Sequence, residues 1–508
     1  MRTATKVAFN TIVLYVKILL TMAISLITVP MVLHALGQSD YGLYNLIGGI
    51  IAMLAFLNNS MSVATQRYMS VAMGQGDLER INRVFNVNIK LHIVLGLIVV
   101  FGLELLGLFI FNKLNIEADS IWRARIIYQF LIVTTFIHIL TVPFNGVINA
   151  REDMVVFSII GVIDSILVLV VAASLSRLSG DKLLFYGFGM MIVPFVSFVL
   201  TFVFVRRAYP EYRIDFKQYS DKSLYKETVG FAGWNLFGAV ALMGRNQGTA
   251  IIINLFLGTI ANAAYGIANQ INGAMGQFTS TFQKAINPQL MKSEGMNNRQ
   301  RMHRISFISS KIGVLAISFF AIPLILEMPE VLLLWLKQDI PPYSIQLSQL
   351  ILILSIITQY SSGLMSSIQA TGRIRDYQIV MSLIILFSLP VSYFILKSGH
   401  PIYFVIAGFV VLEVISLIVR LLFSKRITDL VVSDYLKQVL YPTTVIITIS
   451  TLVGLLPHLL MEQSILRLVI TGIAYAFTFV LVFWFLGLDK QQRLSIQSYL
   501  SKRINRIN

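Results

Sequence analysis

The chain has 508 residues, of which 56% are hydrophobic and only 13% charged, and it has no Cys. A soluble protein cannot hide that much apolar surface, so the composition excludes a water-soluble domain and points to an all-α polytopic membrane protein. The formal charge of +16 would suggest nucleic acid in a soluble protein; here basic cytoplasmic loops account for it, and no nucleic-acid partner is expected.

The N-terminus, MRTATKVAFNTIVLYVKILL, starts basic but lacks a small-residue cleavage site, and reads as a retained first helix. Apolar runs then predict about fourteen spans. The first six begin near Phe9, Tyr41, Phe85, Trp122, Val155 and Leu183. A basic amphipathic linker follows, YPEYRIDFKQYSDKSLYKE, read as a tether lying on the cytoplasmic leaflet. Six more spans begin near Val229, Asn262, Ile305, Ser344, Tyr377 and Ile402, and the last two near Tyr435 and Ser464. The expected divisions are a six-helix lobe over residues 1–208, the linker over 209–228 and a second six-helix lobe over 229–426. Two extra helices over 427–488 and a basic tail over 489–508 complete the chain.

Alternate loops differ in charge. One set holds Arg67, Arg80, Arg83, Arg206, Arg207, Lys292, Arg299 and most other cations, while the other holds only Lys113, Arg123, Arg125, Arg177, Lys182, Lys337, Lys397 and Arg467. That bias of roughly three to one places both termini in the cytoplasm, as an even number of spans requires.

The chain also repeats itself. LGQSDYGLYNLIGG (Leu36 to Gly49) parallels LGTIANAAYGIANQING (Leu257 to Gly273), with Leu-Gly preceding a Tyr-Gly that opens a helix. NGVINARED at the end of span four parallels SSIQATGRIRD at the end of span ten, at a similar offset of about 220 residues. A shared offset at two separated landmarks argues for duplication, with parallel six-helix repeats about an axis along the membrane normal.

Enzyme signatures are missing. There is no G-x-x-x-x-G-K-[ST] loop and no H-E-x-x-H, and the six His are scattered without metal-ligand spacing. The working surface is therefore expected inside the bilayer, where an ionisable side chain costs at least about 2.5 kcal/mol and marks a functional candidate. Lys17 lies midway along the first span and Arg245 midway along the seventh, corresponding helices of the two halves. Two such cations facing one space suit an anionic head group such as a phosphate or pyrophosphate. The alternative is internal pairing with Asp164, Glu104 or Glu413. Lys284 either joins the site or snorkels to the interface; Arg67, at the matching end of span two, reads as an interfacial anchor. Asp164, Glu413 and Glu104 are the candidates for coupling H⁺ or Na⁺, with a structural hydrogen bond as the other reading. His138, midway along span four, reads as a satisfied interhelical bond in preference to a proton relay. Asn246, Gln247, Asn269, Gln270, Asn272 and Gln277 in spans seven and eight suit a hydroxyl-rich sugar, with Tyr15, Tyr44, Tyr265 and Trp234 available for stacking. The other reading is interhelical glue.

LGQSDYGLYNLI after a first span with Pro30, the loop MGQGDLERINRVF, LGTIANAAYGIANQI, INARED and IQATGRIRDY together resemble the polysaccharide transporter branch of the multidrug/oligosaccharidyl-lipid/polysaccharide exporter superfamily. The resemblance implies two six-helix lobes around a central cavity. It also implies a bacterial inner-membrane flippase for polyprenyl-pyrophosphate-linked oligosaccharide, working by alternating access beside polysaccharide assembly enzymes (polymerase, glycosyltransferases). Related lipid II flippases hold the pyrophosphate with cavity cations, and Lys17 and Arg245 match these by helix and depth. No cofactor is expected beyond a coupling ion. The alternatives are a cation-coupled multidrug exporter on the same fold, and a membrane-embedded glycan polymerase or transferase.

Overall fold

A computed structural model describes residues 3–52, 55–111, 116–337, 340–487 and 493. The basic tail expected over 489–508 lies, apart from Arg493, outside the described residues, as does Lys113. Among the described residues the structure is helical without strands. In chain order the helices are α1 (Thr3–Ala52), α2 (Ala55–Gln75), α3 (Leu78–Ile110), α4 (Ile121–Arg151), α5 (Met154–Ser174), α6 (Lys182–Ala208) and α7 (Lys222–Gly295). They continue with α8 (Arg299–Leu326), α9 (Met328–Leu336), α10 (Ser344–Tyr360), α11 (Ser362–Thr371), α12 (Arg375–Lys397) and α13 (Tyr403–Thr428). The spans Val432–Leu460 and Ile465–Gly487 follow.

Eleven described helices are long and apolar enough to cross a membrane, and α10 with α11, bent by 44°, make a twelfth span. Two of them are far too long for a single crossing. At 1.5 Å per residue, α1 with 50 residues and α7 with 74 would reach about 75 and 110 Å against a hydrocarbon core of about 30 Å. Both are broken. Gly37 (φ 77°, ψ 170°) interrupts α1 and Gly258 (φ 75°, ψ −167°) interrupts α7, each in a region of backbone space that only glycine occupies readily. Splitting at these residues, with the second part of α1 running on towards α2, recovers the fourteen spans expected from hydropathy.

The breaks also show the repeat. Gly37 and Gly258 are the glycines of the two Leu-Gly landmarks. Gly76 (φ 72°) ends α2 as Asn297 (φ 54°) ends α7, and Glu152 (φ 64°) ends α4 as Gly372 (φ 78°) ends α11. All three pairs are about 220 residues apart, so the left-handed residues recur with the sequence period. Helix starts are fixed locally by N-cap side chains: Asp77, Asp181, Asp221 and Ser464 each accept from a backbone N–H in the following turn.

The described chain forms two compact units. One is Met1–Val240 with Lys284–Asn298, and the other is Ala241–Gln283 with Arg299–Asn508. These divisions differ from cuts at residues 208 and 229, because α7 begins and ends in the first unit and passes through the second.

In the first unit α4 packs among α2, α3 and α6, and buries Ile127, Tyr128, Ile132 and Val147. The linker is not a free tether in this unit. Asn82, Asn86 and Lys90, spaced four residues apart on one face of α3, bond to the backbone of 211–216. Arg213 N donates to Asn82 Oδ1 at 2.8 Å, Asp215 N to Asn86 Oδ1 at 2.9 Å, and Lys90 Nζ to the Phe216 carbonyl at 2.8 Å. Tyr212 is buried against Phe85. The amphipathic pattern of the linker thus reflects docking onto α3. Within the same unit Gly74 and Gly295, equivalent in the repeat, bring the backbones of α2 and α7 together. A Cβ on Gly74 would run into the Lys292 carbonyl, and one on Gly295 into the Val71 carbonyl.

The second unit is built on α8, which packs against α10, α11 and the two last spans. Glu327, with a side chain 1% exposed, holds the Ile465–Gly487 span. Arg467 donates to it through Nε and Nη2 at 3.1–3.3 Å, Thr471 Oγ1 donates at 2.8 Å, and His458 Nδ1 lies 3.2 Å away.

Candidate functional site

In the first unit two lysines meet on one ring. Lys17 from α1 places Nζ 4.6 Å from the centre of the Phe157 ring on α5, and Lys284 from α7 places Nζ 3.8 Å from the same centre. The two ammonium groups are therefore no more than about 8 Å apart, a distance at which like charges repel by roughly 2 kcal/mol at an effective dielectric of about 20. The ring faces attract each cation, by about 2 kcal/mol or more when desolvated, but they add no negative charge. Gly161, one turn after Phe157, has no Cβ, and the Lys17 side chain lies in the space this leaves. Lys284 does not snorkel to the interface but turns onto Phe157.

Asp164 follows on α5, and its charge acts on Lys17. Its Oδ2 accepts from Ser197 of α6 at 3.1 Å, while Oδ1 is buried without a partner. It lines a cavity of about 270 Å³ together with Thr21, Ser25, Thr28, Tyr41 and Tyr186. The first unit thus presents a cation pair and, a turn or two away, one incompletely bonded carboxylate.

Arg245 lies in the second unit, and within the first unit the cation that shares the Phe157 ring with Lys17 is Lys284. The Arg245 guanidinium sits 5.5 Å over the Phe409 ring, and its Nε donates to Asn246 Oδ1 at 3.3 Å. Asn246, Gln247, Gln270 and Gln277 are exposed, whereas Asn269 Nδ2 donates back to the Tyr265 carbonyl and Asn272 Oδ1 accepts from Ser355. Of the six amides, the first four are therefore open to a polar ligand and the last two serve as interhelical or intrahelical bonds.

Glu413 is committed elsewhere. It pairs with Arg420 at 2.5 Å, side chains 10% and 6% exposed, and Arg420 also donates to Ser361 at 2.8 Å. Binding a second cation at Glu413 would require breaking this buried pair. Glu104 is exposed and accepts from Gln129 at 3.2 Å.

Other expectations change. Arg67 is 8% exposed, stacked between Tyr68 (4.4 Å) and Phe231 (5.1 Å), so aromatic burial replaces the interfacial anchor. Tyr44 packs edge-on against Tyr186, Tyr265 is 5% exposed and Trp234 packs edge-on against Phe237, while Tyr15 is half-buried. His138 makes no hydrogen bond among the described residues and is exposed, contrary to the satisfied bond expected. Sequence reasoning missed Phe157, Ser197 and the node at Glu152, where Gln289 and Lys292 each donate at 2.5 Å and Asn10 reaches the backbone carbonyl at 3.0 Å. The contacts of the Glu152 node join residues more than 130 positions apart, and Phe157 and Ser197 likewise meet their partners on other helices, so none leaves a local signal. Arg420 was findable: seven residues after Glu413, it stands on the same helix face.

This is a multi-pass helical membrane protein with the fold of MATE transporters. The MatE family matches residues 14–174. A MATE protein in its straight conformation superposes with a TM-score of 0.72 at 15% identity, covering 84% of this chain and 96% of that one. A MOP superfamily transporter from Pyrococcus furiosus, described as having a binding pocket of reversed polarity that suggests a different function, gives 0.68 at 15% identity over 83% and 95%. A multidrug resistance MATE family transporter of the MOP superfamily in an outward-facing conformation gives 0.67 at 14% identity over 83% and 95%. No curated relative matches the chain at a significant level.

Proposed function

We propose that the protein is a flippase that moves a polyprenyl-pyrophosphate-linked oligosaccharide across the bacterial cytoplasmic membrane by alternating access. The observation that carries this reading is the placement of the Lys17 and Lys284 ammonium groups over one aromatic ring, inside a unit with no acid bonded to either among the described contacts. A pyrophosphate has charge for both ammonium groups and replaces their mutual repulsion with two charge-assisted bonds. The exposed amides Asn246, Gln247, Gln270 and Gln277 suit sugar hydroxyls. The reversed pocket polarity ascribed to the Pyrococcus furiosus transporter, said to suggest a different function for it, is compatible with this reading. In this reading both termini are cytoplasmic, the lipid tail stays in the bilayer, and glycan-assembly enzymes supply and consume the cargo.

The test is translocation of a fluorescent polyprenyl-pyrophosphate oligosaccharide in proteoliposomes. Transport by wild type should fall at least tenfold in Lys17→Ala and Lys284→Ala, with Arg245→Ala scored separately. A second reading, export of cationic drugs coupled to an ion at Asp164, has its own observation in Asp164, whose Oδ1 is unpartnered and which lines a cavity with Tyr41 and Tyr186. It predicts efflux of cationic dyes that is abolished in Asp164→Asn and unaffected by loss of either lysine. That pattern, with no movement of the lipid-linked sugar, would overturn the flippase reading.

A further inference from the structure

A second cavity of the first unit, of about 280 Å³, lies apart from the lysine pair among α1, α2, α3 and α4. Its walls are apolar, but Asn58, Thr134, Thr135 and His138 line it. The three α4 residues, Thr134, Thr135 and His138, fall at positions i, i+1 and i+4 near the middle of a 31-residue helix, and Asn58 lies one turn into α2. The cavity is therefore at mid-membrane depth, where an unbonded polar group is expensive.

Three groups in it are unbonded. Asn58 Oδ1 and Thr134 Oγ1 are buried without partners, and His138 makes no hydrogen bond among the described residues; Thr135 already donates to the Leu131 carbonyl. Asn58 Oδ1 and Thr134 Oγ1 can each accept a hydrogen bond, and the one lining group that can gain a further N–H donor is His138. Taking up a proton from the aqueous phase converts its imidazole to an imidazolium with two N–H groups, and nothing else need be supplied. No charged residue lines the cavity. The ionisable groups on the surrounding helices turn elsewhere: Asp40 to Arg123, Arg67 to the Tyr68 and Phe231 rings, His92 to the Asn88 carbonyl, and Glu104 to Gln129. Lys17 is on Phe157, Arg125 over Phe111, and Arg151 with Glu211. Lys90 reaches the Phe216 carbonyl and Arg83 pairs with Glu79.

We propose that this cavity is a proton-binding site, with His138 as the group that takes the proton and Asn58 and Thr134 as acceptors for the imidazolium. As a coupling site the proposal rests on the transporter reading; as a binding site it does not.

The experiment has two arms. In nanodiscs, ¹⁵N-imidazole spectra of the six histidines identify the His138 resonance as the one lost in His138→Gln. That resonance should titrate with pH and not respond to Na⁺. Asn58→Leu and Thr134→Val, each removing one acceptor of the charged form, should each move its midpoint to lower pH by about half a unit to one unit. A resonance that does not titrate, one that responds to Na⁺ instead, or midpoints unmoved in both variants would overturn the site. In proteoliposomes, an imposed pH gradient should stimulate wild-type transport and lose that stimulation in His138→Gln; retained stimulation would overturn the coupling role. If wild type moves no lipid-linked sugar at all, the flippase reading falls while the spectra still decide the site.

Discussion

Glu152 combines a backbone penalty with a buried charge, and the two can be separated by substitution. It sits in the left-handed region at φ 64°, ψ 31°, where its repeat counterpart is Gly372. A non-glycine residue there costs about 1 kcal/mol. Its side chain, 2% exposed, bonds to Lys292, 18% exposed, and to Gln289. Removing one partner of such a pair costs about 3 kcal/mol, the low end of the range because Lys292 regains some water. Glu152→Ala loses the pair and keeps the strained backbone, so it should be about 3 kcal/mol less stable than wild type. Glu152→Gly loses the pair but relieves the strain, so it should be only about 2 kcal/mol less stable. Reversible unfolding in mixed SDS micelles, followed by Trp fluorescence, measures both. Equal stabilities for the two variants would refute the backbone argument, and a glycine variant as stable as wild type would refute the ion-pair argument.

Arg467→Met leaves Glu327 buried without its main partner and should destabilise by about 3–5 kcal/mol in the same unfolding assay; His458 and Thr471 are too few to replace the guanidinium. Gly37→Ala and Gly258→Ala should each cost about 1–3 kcal/mol, by similar amounts, because both glycines occupy the same forbidden region; an alanine tolerated at either position without loss would contradict this. Tyr212, outside the spans, has its phenol pushed up to about 12 by burial. The unfolded phenol ionises near pH 10 and the folded one later, so the folded state retains the proton that the unfolded state has lost. Stability should be flat below pH 10 and fall between pH 10 and 12, and Tyr212→Phe should lessen that fall relative to wild type.

The membrane class, the span positions and the duplication were legible because each rests on short-range signals. Twenty-residue apolar runs set the spans, and Leu-Gly marked Gly37 and Gly258 because only glycine fits the backbone there. The charges were legible as candidates but not as partners. Lys17 and Arg245 matched by repeat position, yet Lys17 meets Lys284 on Phe157, a contact made by the packing of α1, α5 and the end of α7. Glu413 read as a coupling candidate or as a partner for Lys17 or Arg245, whereas it pairs with Arg420, two turns further along the same face. The linker's alternating charge and aromatics suited a lipid surface equally well. The deciding feature, Asn82, Asn86 and Lys90 on one stripe of α3, lies over a hundred residues away from it.

The division of the chain into units has a consequence for how the protein is made. The first unit is completed by residues 284–298, which carry Gln289, Lys292 and Gly295 to their partners Glu152 and Gly74. Those residues leave the ribosome only after residues 241–283, which belong to the second unit. The amino-terminal half therefore cannot finish assembling before part of the carboxy-terminal half has entered the membrane. Domains that mature strictly in order of synthesis are not available to this topology: a chain stopped at residue 240 would present Glu152 and Gly74 with nothing to close against.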